Sequence, residues 1–170
     1  MEKKSSIEAI GQSVIEEARM VLPGIQALFG FQLIAVFNQH FSSLPILEQY
    51  LHYGAIVLIA VSIAIIMTPA AYHRLAEQTT ISVFFVSFAS WLIAIAMGPL
   101  ATAISLELYI VGVVLMGRSF LSICIAVGLF CIFASLWFAL PLALRARRKL
   151  DPDWSPPSAR PPRPQNRSSR

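Results

Sequence analysis

Glu107 is a lone acid in a long apolar run, Ile81 to Gly117, and an ionisable side chain in such a run is by default a candidate proton or ion site. Depth argues for less. If a helix enters the membrane near Thr80 and rises about 1.5 Å per residue, Glu107 stands roughly 40 Å along it, beyond a hydrocarbon core of about 30 Å. The expectation is therefore an acid at the outer interface, paired with Arg118 across a turn. His40 and His52 fall near that same side, and each reads as isolated and interfacial rather than as a ligand. A second group gathers at the opposite surface: Glu16, Glu17 and Arg19 before the first apolar run, and His73, Arg74 and Glu77 after the second. With His73 as its titrating member this group could handle protons; the reading preferred is an ion-pair latch that ties the N-terminal helix to the second loop. The remaining polar signal is in the first apolar run, which holds Gln26, Gln32, Asn38 and Gln39. At 3.6 residues per turn Leu28, Gln32, Ala35 and Gln39 share a stripe close to Gly24, either a packing seam or a hydrophilic path, with packing preferred because small and amide side chains join membrane helices.

Other chemistries lack their residues. No glycine-rich phosphate loop or nucleophile motif is present, and the scattered histidines stand apart from any acid cluster, so no enzyme, metal or cofactor is expected. Cys124 and Cys131 lie on one helix face about 10 Å apart, too far to bridge each other and poorly placed for a metal.

The elements that must position these groups follow from composition. Of 170 residues 56% are hydrophobic and 13% charged, with a mean hydropathy of +0.68, so lipid must be the main solvent. The expected class is all-α: an integral membrane four-helix bundle with an N-terminal amphipathic helix and a disordered C-terminal tail. Residues 1–20 place Ile7, Ile10, Val14 and Ala18 at helical spacing and read as an amphipathic helix along the membrane surface. The transmembrane domain is expected over 21–148, with spans at about 21–41, 50–67, 81–106 or on to 117, and 121–144. A break at Gly98 and Pro99 would give five spans. The loop after the first span has no Lys or Arg, whereas Arg74 and the cluster Arg145, Arg147, Arg148 and Lys149 flank the other side, which selects four crossings with both ends cytoplasmic. Residues 149–170, rich in Pro and Arg and containing "RPPRP", read as a disordered basic tail. Its charge suits anionic lipid head groups rather than nucleic acid. No removable signal peptide is expected, because "MEKKSSIEAIGQ" has no apolar core behind it.

The segments "EARMVLPGIQALFGFQL" at 17–33 and "MTPAAYHR" at 67–74 resemble the signature of a small bacterial membrane-protein family of unknown function. That resemblance implies a bacterial inner membrane and directs attention to Glu17, Arg19, Gln26, Gln32, His73 and Arg74. An antiporter would need a carboxylate reachable from both sides, and none is expected near the midplane. The preferred reading is an interaction or accessory subunit that uses the polar seam of the first span to hold a copy of itself or another membrane protein. The alternative is a small oligomeric transporter or channel with a path lined by Gln26, Gln32 and Gln39.

Overall fold

The computed structural model describes residues 2–76 and 82–150; Glu77 and the Pro- and Arg-rich segment 151–170 lie outside the described residues. All described elements are helical: α1 (Glu2–Ala35), α2 (Ile46–Ala76), α3 (Val83–Met116), α4 (Phe120–Ala134), a π-helical turn (Ser135–Ala139) and α5 (Leu140–Leu150), the last three following one another without a break. Four stretches, Ile10–Ala35, Ile46–Ala76, Val83–Met116 and Phe120–Arg147, are long and apolar enough to cross a membrane. The third helix runs unbroken through Gly98 and Pro99, so the described residues hold four helices of membrane-crossing length and not five.

The bundle is built on three seams that share one spacing. In α2 the buried residues are Glu48, His52, Ala55, Ile59, Ser62, Ile66 and Pro69, at alternating intervals of four and three, the repeat that keeps one helix face against its neighbours. Ala18, Leu22, Ile25, Phe29 and Gln32 follow the same intervals in α1, as do Ala96, Leu100, Ala103, Glu107 and Ile110 in α3, and the apolar members Ala18 to Phe29, Ala55 to Ile66 and Ala96 to Ala103 meet in one core. The small residues Ala55, Ala96 and Ala103 let the helix backbones approach, which replaces the hydrophobic drive that lipid does not supply. Toward the turn between α1 and α2 each seam changes from apolar to polar, at Gln32, His52 and Glu107.

Helix bounds differ from those expected, for physical reasons. α1 is a single helix through Pro23, where separate helices over 1–20 and 21–41 were expected. The packing face Ala18, Leu22, Ile25 continues in register across the proline, and that packing offsets the missing N–H bond. The helix stops at Ala35 rather than near residue 41, and three-residue turns follow, in which the side-chain oxygen of Asn38 accepts the backbone N–H of His40 at 3.0 Å. α2 begins earlier than expected because the carbonyl of Pro45 accepts the N–H groups of Glu48 and Gln49. It passes through Pro69 to end at Ala76, while the fourth rod extends to Leu150.

α4 joins α3 by a close approach at one point. A Cβ added to Gly112 would lie 2.9 Å from both Cβ and Oγ of Ser122, so only glycine fits. Gly112→Val should therefore destabilise the bundle by roughly 1–3 kcal/mol, with partial recovery when Ser122→Gly is added; thermal denaturation in detergent would measure both. Gly117, at φ 70°, ends α3 with its N–H on the carbonyl of Val113 and turns the chain into α4, whose start is capped by Ser119.

Candidate functional site

Three helices bring one polar side chain each to a common point. Gln32 and His52 are 4% and 2% exposed, and the side chain of Glu107 is 18% exposed. Gln32 Nε2 donates to Glu107 Oε1 at 2.9 Å. His52 Nδ1 lies 2.9 Å from Glu107 Oε1 and 3.1 Å from Oε2, while its Nε2 is 3.0 Å from the backbone carbonyl of Gln32. The ring of Phe41, from the turn after α1, meets His52 edge-on at 5.1 Å.

This geometry fixes the protons. A carbonyl oxygen can only accept, so His52 Nε2 must carry hydrogen. Nδ1 then faces the carboxyl group of Glu107. The contact is favourable if Nδ1 bears a proton, giving imidazolium and carboxylate, or if the carboxyl bears it, giving neutral imidazole and carboxylic acid. With no proton between them a ring lone pair would face carboxylate oxygens at 2.9–3.1 Å, which is repulsive. The arrangement is thus favourable with one proton shared between the two groups, a pair without net charge, which lessens the penalty of burying it. Gln32 Oε1 is also buried, and no group among the described residues donates to it, so the site retains an acceptor for one further donor.

The site opens toward the α1–α2 turn. A cavity of about 250 Å³ is lined by His52 and Glu107 on one side and by Asn38, His40 and Phe41 on the other, with Val111 and Val114 along its wall. Counting residues from the helix ends at about 1.5 Å each, Glu107 lies about 14 Å inside the Met116 end of α3 and His52 about 9 Å inside the start of α2. Glu107 thus lies toward the end of α3 that its depth suggested, but its partners are Gln32 and His52 rather than Arg118. Arg118 pairs instead with Glu48, Nε to Oε1 at 2.7 Å and Nη2 to Oε2 at 2.8 Å, and Tyr109 donates to the same carboxylate at 3.2 Å. Glu48 stands near the level of the Gly117 turn that carries Arg118, whereas Glu107 is several residues deeper. The carboxylate of Glu48, hydrogen-bonded to the guanidinium, raises the pKa of Arg118 above its ordinary value. His52, expected to be isolated, is the centre of the constellation.

The other sequence candidates are not gathered here. Gln26 is exposed, and Gln39 lies exposed in the turn after α1, so of the expected stripe Gln32 is buried and Leu28 packs against the core, while Gln39 is outside it. At the opposite end Glu16 and Glu17 are exposed, Arg19 and Arg74 line one cavity with Pro69, and His73 packs its ring against Phe85 at 5.6 Å. Among the described residues no three His, Cys, Asp or Glu side chains stand close enough to share a metal ion. The hydroxyls of Ser62, Ser90, Thr102 and Ser105 each bond a carbonyl one turn back in their own helix.

No curated protein and no solved structure matches this chain. Residues 10–141, from the first turns of the α1 span through the π-helical turn, match the model of a family described as "Family of unknown function (DUF6328)", and the protein belongs to that family.

Proposed function

We propose that the protein is a proton-linked membrane transporter whose working site is the Gln32–His52–Glu107 constellation. The observation that carries this reading is the fixed tautomer of His52: with Nε2 committed to a carbonyl, the contact between Nδ1 and Glu107 is made or lost with one proton. A group of this kind converts proton binding into a change in helix contact, since α1, α2 and α3 are each held by the same few atoms. Proton release would loosen that junction and proton uptake would restore it.

This reading takes up the transporter alternative with different residues from those first expected. Gln26 and Gln39 have no part in it. The setting proposed is a bacterial inner membrane, as the resemblance implies, with both chain ends cytoplasmic; the Lys and Arg bias supports that orientation, with the α1–α2 turn outside. A second reading, an accessory subunit, is favoured by α4, whose span buries the smallest share of its residues among the four and leaves a face for another membrane protein. The Gln32 amide is already used within the chain, so assembly through the seam of α1 is no longer its basis.

Flux separates the two. Proteoliposomes carrying the protein should acidify inside when an inward proton gradient is imposed, and Glu107→Gln should reduce the rate to that of empty vesicles. Equal rates for the protein and for empty vesicles, together with co-purification of one membrane protein at near-equal amount, would replace the transporter by the accessory subunit.

A further inference from the structure

His40 lines the cavity that reaches His52 and Glu107, and it also lines a second cavity shared with Gly117 and Arg118 at the surface of the same end. It is exposed, and it is held in place from two sides. Asn38 Oδ1 accepts the backbone N–H of His40 at 3.0 Å and lies 3.2 Å from its Nδ1, while Ser43 Oγ donates to the backbone carbonyl of His40 at 2.7 Å. The amide oxygen can only accept, so Nδ1 carries hydrogen and Nε2 is the ring atom left to take and give a proton.

We propose that His40 loads the buried pair with its proton from the side of the α1–α2 turn. This rests on the reading of His52 and Glu107 as a proton site and adds its entrance and its sidedness. The buried pair needs such a group, because Phe41 covers one edge of His52 and the cavity walls Ile110, Val111, Val114 and Leu115 are apolar. Imidazole is the side chain suited to exchanging protons with water near neutral pH. Of the other ionisable groups at this end, Glu48 is taken by Arg118 and Tyr109, and Tyr50 and Tyr53 line with His52 a separate cavity that does not reach Glu107; the Gln32 amide meets the pair from α1 without a charge. In the step itself, the proton leaves Nε2 of the His40 imidazolium and is carried through the cavity to the pair. It arrives either at Nδ1 of His52, beside the Glu107 carboxylate, or at that carboxylate, and His40 is left as neutral imidazole.

The test is a pH jump on the full-length protein in detergent, followed by time-resolved infrared absorption of the carboxyl and imidazole groups, with the signal assigned to the site by its loss in Glu107→Gln. His40→Ala should slow proton exchange at the site about tenfold or more while leaving the pH midpoint in place, and added free imidazole should restore the rate. Val114→Trp, which fills the shared wall of both cavities, should slow exchange without being rescued. An unchanged rate in His40→Ala with the Glu107-dependent signal present overturns the entrance and leaves the proton site standing. Absence of any Glu107-dependent signal in the unmodified protein overturns both.

Discussion

Arg118→Ala should destabilise the protein several times more than Glu48→Leu, although Arg118 is largely exposed. The asymmetry follows from where each charge ends up. Glu48 is fully buried on the seam of α2, and the guanidinium reaches it with two parallel hydrogen bonds from the α3–α4 turn. Removing the arginine strands a carboxylate between helices with only the Tyr109 hydroxyl beside it. A buried charge deprived of its partner is among the most destabilising changes known, whereas replacing the acid by an apolar side chain removes the desolvation penalty along with the bond. Arg118, left over in the second case, turns to solvent or to lipid phosphate. The combined Glu48→Leu, Arg118→Ala variant should therefore melt closer to the unmodified protein than Arg118→Ala alone does. Thermal denaturation of all three in one detergent gives the comparison, and an Arg118→Ala protein that melts like the unmodified one would mean that Glu48 is not held as described.

The same pair shows what the sequence could and could not convey. The spans, their number and the polarity of the first helix are compositional, and they were legible. Burial of Glu48 and His52 is legible too: both fall on the intervals of Ala55, Ile59, Ser62 and Ile66, so the face that packs must carry them inward. Gln32 and Glu107 sit on corresponding seams of α1 and α3. Partner choice was not legible. Whether Glu107 meets Arg118 or His52 depends on how far α3 is shifted along α2, and that shift is set by small-residue packing near Ala55 and Ala103. A stripe drawn on one helix, such as Leu28, Gln32, Ala35 and Gln39, also assumes that the helix continues. α1 ends at Ala35, so Gln39 leaves the face on which the spacing alone would put it.

Glu107→Gln should abolish proton transport and yet hold the fold together at every pH. The glutamine side chain reproduces the protonated acid: its amide nitrogen donates to His52 Nδ1 and its oxygen accepts from Gln32 Nε2, so each contact now made by Glu107 keeps a partner of the right kind. The unmodified protein needs a proton for the same arrangement. At alkaline pH the unfolded chain binds no proton on either group, whereas the folded contact is made only with one between them. The folded state then binds more protons than the unfolded one, and by linkage its stability falls as pH rises. The contribution at stake is that of two charge-assisted hydrogen bonds, roughly 1.5–3 kcal/mol each at most and less than their sum because they share one carboxyl. Melting temperature should accordingly decline on the alkaline side for the unmodified protein and stay nearly flat for Glu107→Gln, so that the two curves cross or converge at acid pH and separate at alkaline pH. His52→Leu should give the opposite result, a protein weakened at all pH values, because Glu107 and the Gln32 carbonyl both lose their donor. Parallel curves for Glu107→Gln and the unmodified protein would show that no proton is held at this junction, and the transport reading would lose the atoms on which it stands.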